Sequence, residues 1–286
     1  MRVLVTGAGG QLGRDLVDTF SAAGDDVVAC DAATLDVRDR ERVLQVVAAA
    51  APDAIVHAGA ATNVDGCETD PDHAYAVNAL GTRHVAEAAR FAGARICYVS
   101  TDYVFDGAAV RPYREWDATN PVSVYGRSKL GGETVLGPAD TIVRTSWVCG
   151  RHGRNFVKTI LAKAAGGGRL TVVDDQHGCP TFTEDLAAMI RTLVVARLPG
   201  LFHVTNQGAT TWYLLARDAV AAAGMDPALV TPIPTTAMQP PRPAPRPAYS
   251  VLDNAALRLS GMPLLADHHE PLERLVKELV AAGSFA

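Results

Sequence analysis

The first 150 residues alternate short apolar runs with longer stretches of mixed polarity. Arg2–Thr6 (RVLVT), Asp26–Cys30 (DVVAC), Ala54–His57 (AIVH), Arg95–Ser100 (RICYVS) and Asp140–Arg144 (DTIVR) are short and rich in Val and Ile. Runs of that length and composition predict buried strands. Between them, Gln11–Ala23, Asp39–Ala51, Pro71–Ala92 and Val122–Leu136 repeat their apolar positions at helical spacing. Strand–helix alternation of this kind predicts an α/β fold, a doubly wound parallel sheet with helices on both faces and right-handed crossovers.

The pattern is less regular after residue 150. Asn155–Ala165, Thr183–Ala196, Thr211–Ala223 and Glu270–Ala282 read as helices, and Leu170–Asp174 (LTVVD) as a further strand. A proline cluster, PPRPAPRPAYS, runs from Pro240 to Ser250. By composition it reads as a linker or surface loop.

With 286 residues, 48% of them hydrophobic, the chain can bury a large core. A net charge of −5 favours neither nucleic acid nor an anionic membrane as a partner. No apolar run approaches the ~18 residues of a membrane span, and the amino terminus lacks the apolar core of a signal peptide. A cytoplasmic location is expected. The five cysteines and eight histidines are scattered, with no Cys-x-x-Cys or His-Glu-x-x-His. Neither a disulfide framework nor a zinc site is predicted. The adjacent His268 and His269 precede a helical run and read as its solvated start.

Candidate chemistry begins directly after the first strand. Thr6–Gly13 reads TGAGGQLG and places Gly7, Gly10 and Gly13 in a turn that opens a helix, with Gln11 and Leu12 between the last two. Glycines there let the backbone approach a pyrophosphate, and the helix N-terminus supplies N–H donors. In this context the motif predicts a Rossmann-type dinucleotide site. Asp31, 24 residues after Gly7, is placed to bind adenosine ribose hydroxyls and to repel a 2′-phosphate. Arg14 pulls the other way, so NADH and NADPH both remain open. Asp36 and Val37 stand where the chain could pass the adenine, although Asp36 could equally cap the helix that follows. Ala58, Gly59 and Ala60 follow the third strand, and their small size lets a cofactor lie against backbone.

The fourth strand ends in Ser100, Thr101, Asp102 and Tyr103. Strand ends of this kind face the ligand crevice of an open α/β sheet. Tyr125 and Lys129, four residues apart on a helix, share one face. A lysine ammonium beside a tyrosine favours the phenolate and lowers its pKa from about 10. Tyr125 is therefore the expected proton donor to a carbonyl oxygen receiving hydride. Lys129 is expected to tune it and bind the nicotinamide ribose, and Thr101 to hold the oxygen.

Together these residues resemble the extended short-chain dehydrogenase/reductase superfamily. STDYVFDG (Ser100–Gly107), YGRSKLGGE (Tyr125–Glu133), VRTSWVCG (Val143–Gly150), NFV (Asn155–Val157), DDQHGCPT (Asp174–Thr181) and RPAYSVLD (Arg246–Asp253) resemble the dTDP-4-dehydrorhamnose reductase family in particular. The resemblance covers nearly the whole chain. It implies reduction of a dTDP-4-keto-6-deoxysugar, dTDP-4-dehydro-L-rhamnose to dTDP-L-rhamnose, by NADH or NADPH. It also implies an NAD(P)-binding domain over 1–150 and a smaller substrate lobe over 151–286, with segments of the lobe returning to the sheet. Substrate contacts are implied for Thr101, Asp102, Tyr103, Tyr125, Trp147, Asn155, Gln176 and Arg246, the last of which removes the proline cluster from the class of linkers.

The partner implied is a nucleotide sugar, and the resemblance allows a homodimer. Some relatives bind magnesium at an interface. Asp15 and Glu184 or Asp185 are counterparts here, through a match too loose to assign a metal. The loop Ala58–Val64 with its Asn63, Tyr249, and the His268–His269 pair depart from the family pattern. Two other readings stay open. One is a reductase of another nucleotide keto-sugar in antibiotic biosynthesis, such as one making dihydrostreptose. The other is a non-catalytic nucleotide-binding regulatory subunit, like the β subunit of methionine adenosyltransferase, against which intact Thr101, Tyr125 and Lys129 argue.

Overall fold

A computed structural model describes residues 1–283. The amino-terminal half runs β1 (Arg2–Thr6), α1 (Gln11–Ala22), β2 (Asp26–Cys30), α2 (Arg40–Ala50), β3 (Ala54–His57), α3 (Val64–Thr69), α4 (Pro71–Tyr75), a π-helical turn (Ala76–Gly81) and α5 (Thr82–Ala92). It continues through β4 (Arg95–Thr101), α6 (Val124–Glu133), β5 (Thr141–Thr145) and β6 (Val148–Cys149). The rest runs α7 (Phe156–Ala165), β7 (Leu170–Val173), β8 (His177–Gly178), β9 (Thr181–Phe182), α8 (Thr183–Val195), β10 (Gly200–His203), β11 (Thr210–Thr211) and α9 (Trp212–Ala222). The last elements are β12 (Val230–Ile233), α10 (Ala255–Leu259) and α11 (His269–Ala281).

Six strands form one sheet in the order β10-β5-β4-β3-β1-β2, and every pairing in it is parallel. The strands alternate their side chains between two apolar layers. Val3, Val5, Val56 and Val143 face Leu16 and Phe20 of α1 and Leu186, Ile190 and Leu193 of α8. Leu4, Ile55 and Ile96 face Val43 and Val47 of α2 and Val85 and Ala89 of α5. Burial on both faces explains why these strands read as unbroken apolar runs. Leu16 and Ile190 are fully buried, and trimming either to Ala would cost about 2–5 kcal/mol. Chain order reverses between β1 and β3. That switch point opens a crevice at the carboxyl ends of the strands.

The chain after residue 150 builds a lobe and also returns to the sheet. α7, α9 and α11 pack around Val157, Leu161, Leu215 and Val276, and β12 pairs with β7 beside them. α8 covers the sheet next to α1, and β10 adds the edge strand beside β5.

Several expectations need correction. Pro71–Ala92 is not one regular helix, because its middle widens into the π turn. The widened turn carries the buried Asn78, whose amide bonds Ala61 N, Ala61 O and Ser128 Oγ. Helix α3 was not foreseen. Asn63 caps it by accepting from Gly66 N at 3.0 Å, which gives that departure from the family pattern a local role. Asp36 does not cap α2. Asp39 does, accepting from Arg42 N, while Asp36 pairs with Arg38. The proline segment is not a free linker. Ala244 and Ser250 are buried within it, and Arg246 is bonded across to Asp65. His268 is buried at 2% exposure, so only His269 fits the expected solvated helix start.

Candidate active site

A cleft of about 770 Å³ lies across the carboxyl ends of β1 to β5. Its floor is the glycine turn. Gly7 has φ +70°, and a Cβ on it would lie 2.7 Å from Gly59 backbone. A Cβ on Gly13 would lie 2.0 Å from the Gly7 carbonyl oxygen. Only glycine lets the turn close this tightly. Helix α1 then starts at Gly10 with no side-chain cap and no acidic residue in its first turn. Its leading N–H groups and positive dipole end face the cleft through Gly10, Gln11, Leu12 and Gly13. This cradle fits the pyrophosphate of a nicotinamide dinucleotide. Beneath it, Thr6 Oγ1 meets His57 Nδ1 at 2.6 Å, and His57 Nε2 meets Thr82 Oγ1 at 3.1 Å. Burial holds the His57 pKa down to about 3, so this ring is neutral and structural.

Asp31 lines the cleft beside the glycine turn, near Gly9. Its Oδ1 accepts from Ala33 N, Thr34 N and Thr34 Oγ1 at 2.9–3.0 Å. Hydrogen bonds from Thr34, the largest influence, hold its carboxyl below the ordinary value. It is therefore a fixed anion on the cleft wall, which the small, uncharged residues Ala58, Gly59 and Ala60 also line. Arg14 donates to the Gly9 carbonyl at 3.3 Å. Asp36 and Val37 do not line the cleft. Val37 is buried with its Cγ2 against Gly81, and its carbonyl lies 2.9 Å from His84 Nδ1.

At the other end the cleft gathers Thr101, Asp102, Tyr103, Tyr125, Lys129 and Trp147. Ser123 caps α6, accepting from Gly126 N at 3.1 Å, and this starts the helix at Val124, one residue before Tyr125. Gly126 and Gly132 let α6 pack closely, since a Cβ would lie 2.1 Å from Tyr103 O and 2.4 Å from Tyr98 Oη respectively. Tyr125 and Lys129 thus come to the end of β4. Lys129 Nζ donates to the Val99 carbonyl at 2.7 Å and lies 4.0 Å from the Tyr98 ring centroid. Burial brings its pKa down to about 7, and the nearby Glu133 opposes this. Glu133 itself is held by Arg144 and Ser100 in a buried ion pair.

Burial also pushes the Tyr125 hydroxyl well above its ordinary pKa, with Thr101 pulling it back. The expectation that Lys129 lowers that pKa is not met by this geometry. One of the three Lys129 N–H groups goes to a backbone carbonyl, and desolvation of the phenol dominates. Tyr125 is therefore a protonated acid at neutral pH. Its ring meets Tyr103 edge to face at 5.5 Å. Thr101 donates to Asp102 Oδ1 at 3.0 Å. Burial raises the Asp102 pKa to about 6, with Ser250 and Thr101 hydroxyls opposing it.

Trp147 forms the wall facing the lobe. It adopts φ +47°, uncommon for a bulky residue, and stacks on Trp212 with centroids 3.6 Å apart. Phe156 leans on the same ring of Trp212. Trp212 and Phe156 were not foreseen as cleft residues, because each reads as an ordinary apolar position at a helix start. Their one signal was a bulky aromatic in the first turn of a lobe helix.

Three residues implied as substrate contacts lie outside the cleft lining. Asn155 caps α7 and donates to Gly150 O and Gln11 Oε1, tying the lobe to the nucleotide helix. Gln176 donates to Thr235 Oγ1. Arg246 is held by both oxygens of Asp65 at 2.9–3.0 Å. The magnesium counterparts are paired with cations: Glu184 and Asp185 with Arg274, and Asp15 with Arg151 at 3.4 Å.

The strand order, the glycine cradle and the Thr–Tyr–Lys cluster define an extended short-chain dehydrogenase/reductase. The RmlD substrate binding domain family matches residues 1–281. The chain belongs to that family, the dTDP-4-dehydrorhamnose reductases. It is 44% identical to dTDP-4-dehydrorhamnose reductase of Streptomyces griseus over 91% of this chain and 88% of that one. It is 42% identical to a probable dTDP-4,6-dihydroxy-2-methyloxan-3-one 4-ketoreductase of Streptomyces antibioticus, over 99% and 97% of the two chains. The crystal structure of dTDP-4-dehydrorhamnose reductase from Bacillus anthracis in complex with NADP superposes with a TM-score of 0.93 at 38% identity. That match covers 97% of this chain and 99% of that one.

Proposed function

We propose that this protein reduces the 4-keto group of a dTDP-4-keto-6-deoxysugar, converting dTDP-4-dehydro-L-rhamnose to dTDP-L-rhamnose with NADH or NADPH. One observation carries the reading: the glycine cradle and the Thr101–Tyr125–Lys129 cluster open into the same cleft. A bound reduced nicotinamide supplies hydride to the sugar C4. The Thr101 hydroxyl turns its single proton from Asp102 Oδ1 to the keto oxygen and fixes its position. Tyr125 gives its proton to that oxygen as negative charge develops there, so that C=O becomes CH–OH. The resulting phenolate is stabilised by Lys129, whose ammonium leaves the Val99 carbonyl or shares its remaining N–H bonds. Trp147, stacked on Trp212, offers a flat apolar face to the sugar or base. Tyr103 and Asp102 supply polar contacts beside it.

The relatives carry names that differ in the sugar, so the test is a panel. Purified protein is mixed with NADH or NADPH and several dTDP-4-keto-6-deoxysugars, and oxidation is followed at 340 nm with product identification. Turnover fastest with dTDP-4-dehydro-L-rhamnose supports the reading. Turnover only with another keto-sugar nucleotide transfers the chemistry to that substrate, and no turnover by folded protein contradicts both. A cytoplasmic location and a homodimer belong to the same reading. Among the described residues, no helix is long and apolar enough to cross a membrane.

A further inference from the structure

His268 and His269 stand at the start of α11 with their rings stacked at 4.1 Å. Both commit Nδ1 in the same way. His268 Nδ1 lies 3.1 Å from the Gln207 carbonyl oxygen, and His269 Nδ1 lies 2.6 Å from Asp267 Oδ1. An imidazole whose Nδ1 bears the proton presents a lone pair at Nε2. His268 is 2% exposed, and its Nε2 is buried with no hydrogen-bond partner among the described residues. His269 Nε2 is 3.7 Å from Oδ2 of Asp218 on α9. One ligating atom from each of Asp218, His268 and His269 lies within 4.8 Å of the other two. Gly208, at φ +89°, makes room for the cluster. A Cβ there would lie 2.7 Å from His268 Nδ1 and 2.8 Å from Asp267 Oδ2.

We propose that Asp218, His268 and His269 form a site for a divalent transition-metal ion of the zinc type. Two imidazoles and one carboxylate suit zinc better than magnesium or calcium, which take oxygen ligands. A ligating histidine generally donates its other N–H to a backbone carbonyl or a carboxylate. Gln207 and Asp267 already fill those two positions. Ligand bonds of about 2.0–2.2 Å require the three donors to draw together by roughly 1 Å. His269 is exposed and Asp218 half-exposed, so both can rotate to do so. The fourth position goes to water. Bound metal joins α9 to α11 and braces the lobe whose Trp212 forms part of the cleft wall. Asp218 lies 50 residues upstream of the histidines, which is why no short-range motif announced the site.

The test uses the full chain without a histidine tag, stripped with EDTA and titrated with zinc chloride alone by calorimetry. The expected result is one saturable site per chain and a higher melting temperature. His269→Ala and Asp218→Asn should each weaken binding at least about tenfold. Cobalt should give a visible absorption band that both variants lose. A second His–Asp cluster among the described residues, Asp15, Asp18 and His152, serves as control, so Asp18→Asn should leave binding unchanged. Absence of saturable binding overturns the proposal, as does binding that survives both site variants or falls with Asp18→Asn. Keto-sugar reduction by His269→Ala should match the parent, because the site lies outside the catalytic cluster. Failure of the zinc site and failure of the reductase reading are thereby separable.

Discussion

Lys129 Nζ donates to the carbonyl oxygen of Val99 at 2.7 Å, fastening helix α6 to strand β4 at the side of the cleft. A charged amine is thereby held in a dry site. Its pKa falls from 10.5 to about 7 because burial penalises the ammonium. Between those values the unfolded chain binds more protons at this position than the folded one, so folding stability rises with pH across that window.

Lys129→Met removes that dependence. In urea denaturation from pH 7 to 10, parent stability should rise relative to the variant, and a constant difference would show that the amine is not desolvated. The variant should also lose about 10²-fold or more in turnover, since it can no longer stabilise the Tyr125 phenolate.

Asp102 titrates with the opposite sign. Burial raises its pKa from 3.8 to about 6. Between those values the folded protein binds more protons than the unfolded chain, so stability falls as pH rises through the window. Asp102→Asn keeps the shape and loses the charge. It should be more stable than the parent at pH 8, by about 1–3 kcal/mol, with the difference shrinking toward pH 4. Thermal melts across that range check this, and a gap that widens in acid would contradict it.

Asp31 presents a fixed carboxylate where the adenosine ribose would lie. Asp31→Ala removes the charge that repels a 2′-phosphate and the acceptor for ribose hydroxyls. The ratio of kcat/KM for NADH to that for NADPH should fall about tenfold or more, a change of at least ~1.4 kcal/mol. An unchanged ratio would remove Asp31 from cofactor selection.

Gly178 packs against the Trp147 indole, where a Cβ would approach within 2.4 Å of Cε2. Gly178→Ala should push that ring off its stack with Trp212. The KM for the sugar nucleotide should rise while the dissociation constant of NADPH, by fluorescence titration, stays within about twofold. Equal losses in both would mean that the substitution disturbs the whole cleft.

Much of this was legible in the sequence for a physical reason. Strands buried on both faces must be apolar throughout, so RVLVT and AIVH announced themselves, and a turn as tight as Gly7–Gly13 admits only glycine. That Tyr125 and Lys129 share a helix face followed from their spacing, and the glycine turn and Thr101 pointed to a site there. Other features depend on partners far along the chain. The π turn serves Asn78, whose partners are Ala61 and Ser128. The two-residue strands carry no periodicity. Arg246 turned out to be held by Asp65, and His268 to be buried over the Gln207 carbonyl. The Tyr125 pKa reversed its expected direction because spacing fixes which side chains share a face and says nothing of how dry that face is.

The central claim is that Tyr125 hands the proton to the keto oxygen. Tyr125→Phe should retain fold and NADPH affinity, and should lower kcat for dTDP-4-dehydro-L-rhamnose by about 10²–10⁴-fold. Single-turnover oxidation of NADPH at 340 nm measures the chemical step directly. A Phe variant that oxidises NADPH at the parent rate would contradict the account.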